Sequence, residues 1–109
     1  MADCNYQLRY LPLFYEDFGN ILDYITGKLM NPQAANDLID SVESAIVARV
    51  PVAESFEPYC SKKDRKYPYY RIYVDNFVVY YVVIDDQGSD KIMEVRRLLY
   101  IGQDRDTIV

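Results

Sequence analysis

Eight consecutive residues with strong strand preference, Phe77-Val78-Val79-Tyr80-Tyr81-Val82-Val83-Ile84, follow a second such run, Tyr69-Tyr70-Arg71-Ile72-Tyr73-Val74, across nothing but Asp75-Asn76. β-Branched and aromatic side chains suit a pleated surface. Asp and Asn accept positive φ more readily than most residues, so the pair reads as a tight hairpin turn. The longer run is apolar throughout, as expected of a strand buried on both faces or nearly so. A polar stretch, Asp85-Asp86-Gln87-Gly88-Ser89-Asp90, then leads to a last strand, Val95-Arg96-Arg97-Leu98-Leu99-Tyr100. A chain with this centre must build an antiparallel sheet and find something to cover it.

The first half supplies the cover. Tyr6-Gln7-Leu8-Arg9-Tyr10-Leu11 alternates enough for a short strand, and Pro12 suits the first turn of a helix, where its missing N–H costs nothing. That helix is expected to run to about Met30, with Phe14, Phe18, Ile21, Leu22, Ile25 and Leu29 on one stripe facing the core. Gly19 and Gly27 weaken it by up to about 1 kcal/mol each relative to alanine, so packing has to hold it. Asn31 as N-cap and Pro32 at the first helical position open a second helix to about Arg49, antiparallel to the first, with Ala35, Leu38, Val42, Ala45 and Ile46 inward. An irregular stretch follows from Pro51 to Pro58, and Pro68 ends a basic loop before the strands begin. The expected fold class is α+β, in the order β-α-α-β-β-β, with a helical hairpin on one face of a small, mainly antiparallel twisted sheet and the other face partly open. Residues 1–109 are expected to form a single domain, since this length supports one core but not two.

Composition removes many activities. With no histidine, Ser-His-Asp hydrolysis, His-ligated zinc and two-histidine ribonuclease chemistry all lack their imidazole. The four glycines are scattered and none precedes a Lys-Ser or Lys-Thr pair, so no phosphate-cradling loop is present. No cofactor or metal is expected. No run of about 18 apolar residues exists, and the first residues lack the charged and apolar regions of a signal peptide, so a cytoplasmic protein is expected. Cys4 and Cys60 belong to no CxxC pair and read as packing or incidental thiols.

The net charge of −5 is unevenly placed: residues 1–60 carry −6 and residues 61–109 carry +1. An acidic total argues against broad nucleic-acid binding. A local basic site remains, in Lys62-Lys63-Asp64-Arg65-Lys66, although charge runs of this kind more often solubilise a loop. Seven of the twelve tyrosines fall between Tyr59 and Tyr81; most read as sheet residues, and Tyr73 and Tyr100 stand out as candidates for stacking on a base. Successive strand residues point to opposite faces, so Arg96 and Arg97 are not both expected in one site.

The order of elements resembles the RelE/ParE superfamily of bacterial toxins, the toxin components of type II toxin–antitoxin (plasmid stabilisation, or addiction) modules. The match rests on Leu11-Pro12-Leu13, Asn31-Pro32-Gln33-Ala34-Ala35, the segment Arg65 to Val74, and Val95 to Tyr100, and spans nearly the whole chain. The resemblance implies a cognate antitoxin as partner and either the ribosome with its mRNA or DNA gyrase as target. It leaves a homodimer and a toxin–antitoxin hetero-oligomer open. Its first functional reading is inhibition of translation by metal-independent, ribosome-dependent mRNA cleavage. For that chemistry Lys63, Lys66, Arg71, Arg97 and Tyr100 are the catalytic candidates, as base, phosphate ligands and stacking or proton-transfer group. Lys62, Arg65, Tyr73 and Arg105 are candidates for binding RNA, phosphate or the antitoxin. The alternatives are a ParE-like gyrase-binding poison without catalysis, or an interaction protein that has lost activity. The acidic turn at Asp75 and a C-terminus with one cation and two carboxylates, in Gly102 to Val109, depart from the nuclease pattern.

Overall fold

The computed structural model describes residues 6–56, 68–84 and 91–101. Strand β1 (Tyr6–Tyr10) leads through Leu11 into helix α1 (Pro12–Asp23), which passes into a π-helical turn (Tyr24–Lys28). Helix α2 (Pro32–Arg49) and a short 3₁₀ turn (Val50–Val52) follow, then β2 (Tyr70–Val74), β3 (Phe77–Ile84) and β4 (Lys91–Tyr100). The four strands form one sheet in the order β1-β4-β3-β2. The β2–β3–β4 ladders are antiparallel and β1 joins β4 in parallel, because the helical hairpin carries the chain from β1 at one edge to β2 at the other before the strands run back. The α+β order read from the sequence is the one observed, and the last strand begins four residues earlier than its apolar core suggests.

The core lies between the helices and one face of the sheet. Phe14, Ile25, Leu38, Val42 and Ile46 from the helices meet Ile72, Val79, Tyr81, Met93, Val95 and Leu98. β3 is buried from Val78 to Val83 on both faces, as its unbroken apolar run requires. Burying one such side chain stabilises by roughly 1.5–3 kcal/mol, which explains why this strand organises the rest. The second face is less open than expected at its centre, where Val78, Tyr80 and Val82 lie fully buried beside Tyr69 and Leu99.

Three local features depart from the regular pattern. The first helix does not remain α-helical to Met30: the Leu29 N–H bonds the Tyr24 carbonyl five residues back at 3.2 Å, the mark of a π turn. One inserted residue rotates the rest of the helix by about 100°, one residue's worth of turn. Leu29, expected on the core stripe, is therefore exposed. Met30 then takes φ 51° and the Asn31 N–H returns to the Ile25 carbonyl at 3.1 Å, closing the helix in a left-handed cap. Asn31 starts α2 as expected, its side chain accepting from the Ala34 N–H at 3.1 Å. The hairpin turn also holds, with Asp75 at φ 54°.

The third departure is a bulge. Tyr80 faces Arg97 and Tyr81 faces Val95, so Arg96 is an extra residue in β4. Alternation fails there. Arg96 reaches Glu94 and Tyr69 on the face away from the helices, and Arg97 is registered with Tyr80 of the same face. The expectation that the two arginines diverge to opposite faces is thus corrected by a single inserted residue.

Candidate functional site

The face away from the helices carries the described arginines of the sheet, of which Arg9 is exposed and Arg71, Arg96 and Arg97 are half-buried. On β2, Ile72 and Val74 point into the core, which sends Arg71 and Tyr73 to the other side, opposite Tyr80 and Val78. Tyr73 is exposed, and the Arg71 guanidinium lies 5.8 Å from its ring centre. Arg71 and Arg97 flank Tyr80 from the two neighbouring strands, so their backbones stand about 10 Å apart.

Glu94 is the buried carboxylate of this face. Arg9 of β1, its partner in the parallel register, donates Nε to Glu94 Oε2 at 2.8 Å and adds Nη2 to the same oxygen. Arg96 Nε donates to Oε1 at 2.8 Å. Burial by itself would raise the Glu94 pKa, but the two guanidiniums outweigh it and hold the carboxyl below its ordinary value. Arg96 is in turn held protonated against burial by Tyr69 and Glu94. The group is a positive surface with one carboxylate locked inside it. It can attract and orient an anion; Glu94, ionised and enclosed by cations, is poorly placed to take a proton from a substrate.

Arg97 is committed elsewhere. Among the described residues, β4 has no strand neighbour on its β1 side beyond Val95, because the chain leaves β1 at Tyr10 and climbs into α1. Asp17 of α1 fills that gap: its Oδ2 accepts Arg97 Nε at 2.7 Å and the Leu98 N–H at 3.1 Å, and its Oδ1 accepts Arg97 Nη2 at 2.9 Å. This bidentate pair joins helix to strand and caps an edge that would otherwise expose a backbone donor. Tyr100 lies on the opposite side of the sheet from Arg71. It packs edge-on against Phe77, at 5.9 Å between ring centres, and lines a cleft of about 600 Å³ with Tyr24, Ile25 and Leu29.

The described candidates therefore do not converge. Half-buried Arg71 and exposed Tyr73 share one face, Arg97 sits at the strand edge on Asp17, and Tyr100 is on the helical side. Lys62, Lys63, Arg65, Lys66 and Arg105 lie outside the described residues, as do Cys4 and Cys60. Sequence reasoning missed Arg9, Asp17 and Glu94, and weighed Arg96 only as the alternative to Arg97. One signal was available, since Glu94 and Arg96 stand two residues apart on either side of Val95 as opposite charges in the middle of a strand. Arg9 and Asp17 gave none, because their partners are about eighty residues away in the chain.

The sequence matches no family model and no curated protein. Among solved structures, a chain of the chromosomal ParDE TA system from P. aeruginosa superposes with a TM-score of 0.67 at 13% identity, covering 89% of this chain and 97% of that one. The likeness is one of fold. It covers most of the chain, so the overall arrangement is shared even where the side chains are not. The described helices include none long and apolar enough to cross a membrane.

A second polar network steadies the route into β2. Arg49 Nη1 at the end of α2 donates to the Arg71 carbonyl at 3.1 Å and to Tyr81 Oη at 3.0 Å, while Tyr81 Oη donates to the Ala53 carbonyl at 2.6 Å. The Arg49 guanidinium also lies 3.6 Å from the Phe56 ring centre. Tyr70 stacks on Tyr81 at 5.2 Å. Burial raises the Tyr81 pKa despite Arg49, so the hydroxyl keeps its proton and its donor role. Arg71 thus projects from a strand whose backbone is held by its neighbours.

Proposed function

We propose that this chain is the toxin of a type II toxin–antitoxin module, neutralised by a cognate antitoxin in the cytoplasm, and that it acts by binding its target as a ParE-like gyrase poison does. The observation that carries this reading is the disposition of the charged side chains. Arg97 is engaged by Asp17, Arg9 and Arg96 are engaged by Glu94, and Tyr100 faces the other side of the sheet. A phosphoryl-transfer site needs a base, an acid and cations within reach of one phosphate. The described residues offer a rigid cationic and aromatic surface instead, which is what recognition of a macromolecule requires. The fold shared with a chain of a ParDE TA system supports the toxin assignment, and the choice of target rests on the side chains.

The second reading, ribosome-dependent mRNA cleavage, draws on half-buried Arg71 and exposed Tyr73, which share one face and are close in sequence to Lys62, Lys63, Arg65 and Lys66. One experiment separates the two. Induced expression in a bacterial host is followed by growth and by pulse-labelled DNA and protein synthesis, for the wild type and for Arg71→Ala of verified folding. Early arrest of DNA synthesis with filamentation supports target binding at gyrase. Early arrest of translation, relieved by Arg71→Ala, replaces it with the nuclease reading, and normal growth at full soluble expression refutes toxicity of either kind.

A further inference from the structure

The groove between the two helices has a chemistry opposite to that of the cationic face of the sheet. Helix α1 packs on β4 and helix α2 on β2, which leaves a hollow of about 300 Å³ between them. Its wall on the α1 side is aromatic. Tyr10, at the end of β1, stands 5.2 Å from Phe14 and 5.6 Å from Tyr15 between ring centres, and Phe14 stands 5.7 Å from Phe18. Phe14 and Phe18 are four residues apart and so share one side of α1. Ile39 and Glu43 of α2 line the other wall. Tyr15 is 59% exposed, Glu43 is exposed, and Tyr10 and Phe18 are half-buried, so solvent reaches both the rings and the carboxylate.

We propose that this groove seats the arginine side chain of a partner protein. The first argument is charge. Helices α1 and α2 together carry six carboxylates and a single cation, Arg49, which is turned to the Arg71 carbonyl, Tyr81 and Phe56. Among the described residues, Glu43 has no ion pair and the hydroxyls of Tyr10 and Tyr15 make no hydrogen bond. The same excess of negative charge acts on Tyr10: burial first, then Tyr15 and Glu43, raise its pKa, and no cation opposes them.

The second argument is the rings. The face of an aromatic ring is the negative part of its quadrupole and attracts a cation within about 6 Å. A guanidinium is planar and weakly hydrated, stacks on rings and offers a fork of N–H donors to a carboxylate, so it suits both walls, whereas an ammonium gives up more hydration to enter. The third argument is extent. A hollow of about 300 Å³ is at the lower end of ligand cavities and holds one side chain, while exposed Glu16, Asp37 and Asp40 carry the acidic surface beyond it along both helices. A field of that breadth steers a basic protein segment and repels nucleic acid. The inference stands apart from the toxin reading, because the groove and the cationic face lie on opposite sides of the sheet and its test measures no toxicity.

That test is an NMR titration of the purified full chain, labelled at isoleucine, leucine and valine methyl groups, with N-acetyl-arginine N-methylamide as the probe. The comparison ligands are its neutral citrulline analogue and methylguanidinium. The expected result is a saturable shift at the Ile39, Val42 and Ile46 methyls, with a dissociation constant on the order of 1 mM. Binding should be at least about 5-fold weaker for the citrulline analogue, which lacks the charge, and about 3-fold weaker for methylguanidinium, which lacks the aliphatic stem. Glu43→Gln and Tyr15→Leu should each raise the constant by roughly 3–10-fold, and Glu43→Lys, which supplies its own cation, should abolish binding. Both positions are exposed and lie on different helices, and circular dichroism verifies folding of each variant. No shift at these methyls up to about 20 mM probe overturns the proposal, as does equal binding of the citrulline analogue or an affinity indifferent to both Glu43→Lys and Tyr15→Leu. Equal affinity for methylguanidinium gives the groove to a small free cation, and methyl shifts that grow with protein concentration alone give it to a second copy; either result overturns the assignment to a partner protein.

Discussion

Replacing Asp17 by alanine is expected to destabilise the fold by about 2–4 kcal/mol. The carboxylate accepts three hydrogen bonds, from Arg97 Nε at 2.7 Å, Arg97 Nη2 at 2.9 Å and the Leu98 N–H at 3.1 Å. The two side chains are only 19% and 12% exposed, so solvent screens the pair weakly. A hydrogen bond to a charged group contributes roughly 1.5–3 kcal/mol, and three on one carboxylate do not add, which sets the range. Against a total stability of about 5–15 kcal/mol that is a large fraction, equivalent to a fall in Tm on the order of 10–20 °C. Urea unfolding of Asp17→Ala, Arg97→Ala and the double variant measures it, with a coupling energy of at least about 1 kcal/mol expected from the cycle. A loss below about 0.5 kcal/mol for Asp17→Ala, or a coupling near zero, refutes the claim that this pair pins α1 to the open edge of β4. The outcome also bears on function. If Arg97→Ala abolishes toxicity only as far as Asp17→Ala does, Arg97 supports the fold and does not touch the target.

The folded pKa of Glu94 is depressed, so its stabilisation is present above the unfolded carboxylate value of about 4.3 and is lost as pH falls through the depressed folded value. Glu94→Gln should flatten the acid limb of the stability profile, and an unchanged limb in acid titration by circular dichroism would sink the assignment. Tyr81→Phe removes the donor to the Ala53 carbonyl and the acceptor for Arg49, and should cost about 1–3 kcal/mol by urea unfolding; a neutral result would mean that water replaces both bonds. Asn31→Ala should cost about 1 kcal/mol through loss of the cap to Ala34, measured in the same way, and a stabilising effect would contradict the capping role.

The fold was legible because its signals are local and mutually consistent. Pro12, Asn31 and Pro32 punctuate the helices, Asp75-Asn76 turns the hairpin, and the run Phe77–Ile84 cannot be satisfied anywhere but the middle of a sheet. The α2 stripe was read correctly for the same reason, since Ala35, Leu38, Val42 and Ile46 sit at helical spacing and all four are buried. The site was less legible. Arg71 and Tyr73 share a face by period two, which the sequence states, but the fate of Arg97 depended on an aspartate from α1 that no spacing connects to it.

By itself, then, the sequence determined the class of fold, the identity of the central strand and the absence of imidazole chemistry, because these follow from periodicity, turn chemistry and composition. Tertiary structure decided which charges are available. The β4 bulge brought Arg96 and Arg97 to one side, Glu94 took up Arg9 and Arg96, and Asp17 took up Arg97, all through contacts that exist only once β1 and α1 lie against β4. The exposure of Leu29 was decided the same way, by a π turn that adds one residue to a helix whose apolar pattern, read alone, runs unbroken. A charge or an apolar side chain acts according to its nearest neighbours in space, and for these residues the neighbours come from distant parts of the chain or from one extra residue in the backbone.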